Sequence, residues 1–215
     1  MKILLISGGT AEDCFLKELY RTGKYDCVIA ADRGAEAAGR AGIPLDYLVG
    51  DFDSADRSTV EKYERMPDLK ICRHRPEKDA TDTELALELA MSLEPESITM
   101  AGATGTRMDH VLGNLYNLLL PLKKGIPCAI ADPNNRICLL RESRVFRKEQ
   151  AFGKYISFLP LTDAVEGITL RGFKYPLTNY RMEKGISIGV SNELQEEEAS
   201  VEFSSGILIC IQSRD

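Results

Sequence analysis

The sequence predicts an α/β fold in two parts: a parallel-sheet α/β domain over residues 1–132, then a small all-β sandwich domain over residues 133–215. In the first part, short apolar runs alternate with segments of helical spacing, which is typical of parallel strands joined by helices. From about Arg136 the helical spacing ends, and short β-type runs bounded by Gly and Pro follow one another.

The composition is that of a soluble globular protein with a core, since 44% of the 215 residues are hydrophobic and 28% are charged. The net charge of −6 argues against general nucleic-acid binding, which requires a basic surface. No apolar run reaches membrane-spanning length, and the apolar start is too short for a signal peptide. We therefore expect a cytoplasmic protein with no membrane contact. Six scattered cysteines and only two histidines argue against zinc and indicate free thiols.

The apolar pattern predicts the individual elements. In the first part we expect strands at residues 3–6, 26–31, 47–50, 69–72, 97–101 and 128–131. Helices are predicted at 11–21, 35–41 and 56–66, after Thr81, and after Asp109. In the second part we expect strands at 137–140, 155–161, 167–170, 186–190, 199–203 and 207–211, the last two joined as a hairpin through 204–206.

Two carboxylates follow the predicted strand at 47–50. Asp51 and Asp53 alternate with Phe52, so they point the same way, roughly 7 Å apart at the Cα atoms. Hard oxygen ligands of this kind suit Mg²⁺. The alternative is an ordinary Asp-rich turn in which Ser54 caps a helix.

A second candidate carboxylate lies at the start of a predicted helix. Thr81 and Glu84 fit a capping box, which alone explains both residues. Asp82 is either a first-turn carboxylate stabilised by the helix dipole or a third metal ligand.

The loop after the strand at 97–101 is suited to an anion. Small residues around Gly105 lead from the strand into a helix, and Arg107 adds a permanent planar cation that suits phosphate. Asp109 is either the N-cap of that helix or part of the anion site.

Five short stretches together make the chain resemble the thiamine pyrophosphokinase family along nearly its whole length. Each stretch is weak alone, but their order and spacing are specific. The chain departs from the family in having Arg33 where a second glycine is common, and in having no Trp, on which some members stack the vitamin. The stretches are Ala31-Asp32-Arg33-Gly34, Gly50-Asp51-Phe52-Asp53-Ser54, Lys78-Asp79-Ala80-Thr81-Asp82, Gly105-Thr106-Arg107-Met108-Asp109-His110 and Gly189-Val190-Ser191-Asn192-Glu193.

The resemblance implies an ATP-binding catalytic domain, a thiamine-binding domain, and a homodimer whose active sites are shared between subunits. The implied reaction moves the β,γ-diphosphate of ATP to the thiamine hydroxyl and releases AMP. The implied Mg²⁺ ligands, any of which could also accept the hydroxyl proton, are Asp51, Asp53 and Asp82. The implied ATP-binding positions are Asp32, Gly34, Lys78, Thr81, Gly105, Arg107 and Asp109, and the thiamine-binding positions are Ser191 and Asn192.

Two other functions fit parts of the pattern. One is a diphosphokinase for another hydroxymethyl heterocycle, such as a pterin; the Ser191-Asn192-Glu193 loop and the β domain favour thiamine instead. The other is a nucleotide-binding or thiamine-binding module without catalysis. The carboxylate set argues against it, because a sensor has no need for a metal site of several carboxylates.

Overall fold

The computed structural model describes residues 1–50, 63, 66–73 and 80–215. The chain divides into two compact units, Met1–Pro133 and Asn134–Asp215. No helix in the described ranges is both long and apolar enough to cross a membrane.

The first unit alternates strands and helices along the chain. The strands are β1 (Lys2–Ile6), β2 (Cys27–Ala31), β3 (Tyr47–Gly50), β4 (Lys70–Arg73), β5 (Ser97–Ala101) and β6 (Cys128–Ala131). The helices are α1 (Asp13–Gly23), α2 (Gly34–Ala41), α3 (Asp82–Ser92), α4 (Met108–Asn117) and α5 (Leu119–Lys123).

The strands of this unit form a parallel sheet in the order β6-β5-β1-β2-β3-β4. The chain builds outward from β1 through β2 and β3 to β4, and then crosses to the other side of β1 to add β5 and β6. The direction of winding therefore reverses between β1 and β5. In open parallel sheets, the loops at the carboxyl ends of strands flanking such a reversal form a crevice that binds ligands.

Helices cover both faces of the sheet. On one face, Leu4 and Ile6 of β1 pack with Leu16 of α1 and Ala38 of α2. Side chains alternate along a strand, so Ser7 points to the opposite face. There α3 contacts β1, β2 and β3, and the Ser7 hydroxyl meets that of Thr83.

The second unit contains two antiparallel sheets, with strand orders β12-β9-β14-β7 and β11-β10-β13-β8. Its core holds Phe146, Phe158 and Phe173 in edge-to-face contact, with ring centroids 5.6–6.2 Å apart. The strands are β7 (Asn135–Leu140), β8 (Arg144–Arg147), β9 (Tyr155–Pro160), β10 (Ala164–Arg171), β11 (Leu177–Glu183), β12 (Asn192–Glu193), β13 (Glu198–Glu202) and β14 (Leu208–Ser213).

The α/β class followed by an antiparallel β unit is confirmed, but three local predictions are wrong. Residues 186–190 form turns rather than a strand. Residues 204–206 do not close a hairpin, because β13 pairs with β8 and β10 whereas β14 pairs with β7 and β9. Asp109 is not the N-cap, because that position falls on Arg107. The predicted helix at 56–66 lies outside the described residues except for Tyr63 and Met66.

Candidate active site

The loops that follow β1 and β5 are joined by backbone hydrogen bonds. The N–H groups of Ser7 and Gly9 donate to the carbonyls of Ala101 and Gly102, each at 2.8 Å. The Thr10 N–H donates to the Thr104 carbonyl at 3.0 Å. The winding reversal is therefore lined by two loops whose backbones fix each other.

Glycine is required where these backbones meet. Gly102 has φ of 65°, and a Cβ there would lie 2.5 Å from the carbonyl oxygen of Ser7. A Cβ at Gly105 would lie 3.2 Å from the Thr10 nitrogen. The buried side chain of Asn114, on α4, donates from Nδ2 to the Ala103 carbonyl at 2.8 Å and so fixes the same loop.

The loop after β2 holds Asp32 at the same edge of the sheet. Asp32 is half-buried with φ of 46°, and its N–H donates to the Val49 carbonyl at 2.9 Å. Its carbonyl accepts from Ala35 at 3.1 Å as α2 begins. A Cβ at Gly34 would overlap the Ile6 carbonyl. Glycine at this position is therefore explained by the close packing of α2 on β1.

The start of α3 brings Asp82 to this edge. Thr81 is the N-cap, and its Oγ1 accepts from the Glu84 N–H at 3.3 Å, as the capping-box pattern predicts. The Ser7 and Thr83 hydroxyl oxygens lie 2.5 Å apart. This bond ties the first turn of α3 to the end of β1 and leaves Asp82 half-buried beside it.

Three of the predicted site residues, Asp51, Asp53 and Lys78, lie outside the described residues. Asp51 directly follows Gly50, which ends β3 at the carboxyl edge of the sheet.

Arg107 and Asp109 form an ion pair at the start of α4. Arg107 Nη2 lies 2.6 Å from Asp109 Oδ2, and Nε lies 3.2 Å from Oδ1, so the contact is bidentate. Both side chains are about two-thirds exposed, at 69% and 64%. The hydrogen bond from Arg107 is the main cause that lowers the pKa of Asp109, and the pKa of Arg107 is raised in return.

In the second unit, the Asn192 side chain is buried and joins two backbone segments. It is 2% exposed, and its Nδ2 donates to the Tyr175 carbonyl at 2.8 Å. Its Oδ1 accepts from the N–H groups of Tyr175 at 3.0 Å and Glu193 at 2.9 Å. Ser191, in contrast, is exposed with φ of 57°, and its N–H donates to Ser157 Oγ at 3.0 Å.

Two family models match the chain in sequence order. The thiamin pyrophosphokinase catalytic domain matches residues 20–130, and the thiamin pyrophosphokinase vitamin B1 binding domain matches residues 142–208. The chain belongs to the thiamine pyrophosphokinase family. The thiamine pyrophosphokinase of Bacillus subtilis is 33% identical over 216 residues, which cover the whole of both chains.

Solved structures of thiamine pyrophosphokinases share the fold. The Bacillus subtilis structure gives a TM-score of 0.89 at 33% identity, and an Enterococcus faecalis family protein gives 0.85 at 34%, each covering the whole of both chains. The yeast structure gives 0.81 at 15% identity over 99% of this chain and 86% of its own, which shows the fold alone.

The aromatic residue Tyr175, which no sequence motif singles out, lies against Asn192. Tyr175 is 54% exposed, while Asn192 holds its backbone from both sides. Lys174 Nζ lies 5.4 Å from the centroid of the Tyr175 ring and 2.9 Å from Glu193 Oε1. The only sequence signal was an aromatic residue before a proline, which is common in turns. The contact across 17 residues that joins Tyr175 to Asn192 is visible only in the fold.

Proposed function

We propose that this chain transfers the β,γ-diphosphate of ATP to the hydroxyl of thiamine, giving thiamine diphosphate and AMP. The observation that carries the proposal is the presence of both family domains, catalytic and vitamin B1-binding, in one chain. We assign ATP binding and catalysis to residues 1–132 and thiamine binding to residues 133–215.

We place the phosphates of ATP over the crevice between β1 and β5. The loop at Gly105 leads into the N-terminus of α4. Helix N-termini favour anions through their backbone N–H groups and the helix dipole. Arg107 lies at that N-terminus, and its bidentate grip on Asp109 has the geometry that a phosphate would also satisfy. We include Asp32, Gly34, Lys78 and Thr81 in the same ATP site. Asp32 follows the end of β2, Gly34 begins α2, and Thr81 precedes the start of α3.

The donor set fits Mg²⁺, which would be held by Asp51, Asp53 and Asp82. Carboxylate oxygens are its preferred protein ligands, and the bond between Ser7 and Thr83 holds Asp82 at the edge of the sheet where β3 ends. Mg²⁺ would supply charge neutralisation on the phosphate oxygens.

The protein's own contribution to the reaction is positioning and proton removal. An alcohol is a weak nucleophile at neutral pH, so the thiamine hydroxyl must be held in line with the β-phosphorus. One of the three carboxylates accepts the hydroxyl proton as the bond to phosphorus forms. Lys78 and Arg107 offset negative charge on the diphosphate and on the departing AMP.

For thiamine, we propose that Ser191 and Tyr175 face the vitamin and that Asn192 holds Tyr175 in place. The Asn192 side chain makes three hydrogen bonds to the backbone of Tyr175 and Glu193, which supports a positioning role. The exposed Tyr175 ring offers an aromatic face to a cationic thiazolium, and the Ser191 hydroxyl offers a polar partner.

We further propose a homodimer in which each active site combines the first unit of one subunit with the second unit of the other. We also propose that the protein works in the cytoplasm, since its six cysteines are free thiols of the kind kept reduced there.

The test is incubation with ATP and Mg²⁺ plus thiamine, a hydroxymethylpterin or water, with AMP, ADP and pyrophosphate separated. We expect AMP only with thiamine, in step with thiamine diphosphate. Release of ADP would reject the reaction type, and AMP with the pterin alone would reject the substrate.

A further inference from the structure

Two cysteines face each other across neighbouring strands of the second unit. Cys138 of β7 and Cys210 of β14 are register partners in an antiparallel pair. Residues directly opposite in such a pair have Cα atoms about 4.5–5.5 Å apart. That spacing falls within the range of about 4.4–6.8 Å that disulfide bonds require. The pairing of the two strands therefore gives the two cysteines a Cα separation that a disulfide bond can span.

The two thiols differ in access and in charge environment. Cys210 is fully buried, whereas Cys138 is only half-buried at the edge of the same core. Arg144 Nη1 lies 3.6 Å from Cys138 Sγ. The Cys210 thiol donates to Cys138 and, with the charges of Arg144 and Arg136, lowers the pKa of Cys138, while the pKa of Cys210 is raised.

We propose that Cys138 and Cys210 are a peroxide-reactive dithiol that closes to a disulfide between β7 and β14. Cys138 is the attacking thiol because it is the more accessible of the two and lies beside a guanidinium. Cys210 is the resolving thiol because it is the register partner of Cys138 and is shielded from other reactants.

The reaction balances with a hydroperoxide as oxidant. The Cys138 thiolate attacks one peroxide oxygen, the O–O bond breaks, and the departing oxygen takes the proton that Cys138 released, which leaves a sulfenic acid and an alcohol. The Cys210 sulfur then attacks the sulfenic sulfur. The S–O bond breaks, the S–S bond forms, and water leaves with the Cys210 proton. Two electrons pass from the thiols to the peroxide.

Peptide mapping tests the pairing directly. The full-length reduced protein is treated with hydrogen peroxide, remaining thiols are blocked with iodoacetamide, and the protein is digested with trypsin without reductant. We expect peptide 137–141, which contains Cys138, to appear joined to peptide 185–214, which contains Cys210, with the loss of two hydrogen atoms. Dithiothreitol should separate them. Failure of this linked peptide to form at any peroxide dose that oxidises the exposed Cys14 would overturn the proposal.

Variants separate the two roles. In Cys210→Ser, Cys138 should stop at the sulfenic acid and be captured by a 1,3-dicarbonyl probe, whereas Cys14→Ser should leave the linked peptide unchanged. Arg144→Gln keeps both thiols and should slow peroxide reaction at Cys138 about 2–5-fold. Capture of a Cys210 sulfenic acid by the probe in the Cys138→Ser protein, or an unchanged rate in Arg144→Gln, would contradict the assigned roles.

Discussion

The crevice loops of the first unit and the Ser191–Asn192 segment of the second are both polar, but they are held in different ways. After β1 and β5, backbone hydrogen bonds such as Gly9 to Gly102 fix the loops. There the Asn114 side chain adds one bond to this backbone network, whereas in the second unit the Asn192 side chain makes the bonds to the backbone at Tyr175. A polar residue in a motif can therefore be either the ligand-facing group or the support for its neighbour, and hydrogen-bond partners distinguish the two.

The largest effect is expected at Asp82, which we propose as a metal ligand. Asp82→Asn should lower kcat at least ~100-fold with little loss of stability, because a lost metal ligand removes several kcal/mol of transition-state stabilisation. The matched control is Glu88→Gln, an exposed carboxylate on the same helix, which should keep normal activity. Steady-state kinetics at saturating Mg²⁺ and thermal unfolding decide the point. Near-normal kcat in Asp82→Asn would reduce Asp82 to a helix-start carboxylate.

Backbone packing in the first unit is tested by glycine. Gly34→Ala should lower the free energy of unfolding by about 1–3 kcal/mol or more, because the new Cβ would overlap the Ile6 carbonyl. Gly113→Ala is the control, since no described atom outside the neighbouring backbone of α4 lies within 4 Å of that Cβ position. It should stabilise the protein by roughly 0.5–1 kcal/mol. Urea denaturation measures both, and equal stability of the two variants would rule out the packing argument.

Side-chain support in the second unit is tested at Asn192. Asn192→Ala leaves the Tyr175 backbone without partners, so we expect a loss of about 1–3 kcal/mol in the free energy of unfolding. The KM for thiamine should rise while the KM for ATP stays unchanged. Tyr175→Ala, which removes an exposed ring, should raise the KM for thiamine without the stability loss.

If Asn192→Ala has the same free energy of unfolding as the unmodified protein yet no longer binds thiamine, then Asn192 contacts the vitamin itself.

The shared-site proposal has a separate readout in the same series of variants. Tyr175→Ala and Asp82→Asn subunits, mixed and exchanged into heterodimers, should regain part of the activity that each lacks alone. No recovery in verified heterodimers would place both groups in one subunit's site.

The smallest expected effect concerns the pair of Arg107 and Asp109. Arg107 lowers the pKa of Asp109. The contribution of this ion pair to stability is therefore present above the ordinary carboxyl pKa, and it is lost as the pH falls through the lowered pKa of Asp109. Both groups are exposed, so we expect little change in unfolding. Arg107→Gln should raise the pKa of Asp109, as measured by carbon-13 NMR of the carboxyl group.

ATP should have the same effect as that substitution if phosphate takes the guanidinium from Asp109. Arg107→Lys, which keeps the charge but loses the planar fork, should raise the KM for ATP and leave that for thiamine unchanged. A pKa of Asp109 that does not respond to ATP would remove Arg107 from the phosphate site.

The fold class and the capping of α3 followed from sequence because both depend on local patterns. Thr81 and Glu84 stand three residues apart and bond as that spacing predicts. The strand predicted at 186–190 failed because Ile186, Ile188 and Val190 alternate like a strand but remain 38–46% exposed, so burial does not select that conformation.

Long-range partners were beyond the sequence in both units. Residues 204–206 connect β13 to β14, and these two strands belong to different sheets. No local sequence signal distinguishes a hairpin from a connection between two sheets. Likewise, nothing near Asn192 in sequence indicates that its amide binds Tyr175. The family motifs located these positions but did not distinguish a supporting residue from a contacting one.

The hydrogen bonds between the two loops at the winding reversal also allow local opening to be measured by amide hydrogen exchange. The amide protons of Gly9 and Thr10 lie in a loop, where deuterium replaces hydrogen quickly, yet each is donated to the loop after β5. They exchange only when the two loops part. Their exchange rates in D₂O therefore measure how often the crevice between β1 and β5 opens, without any substrate present.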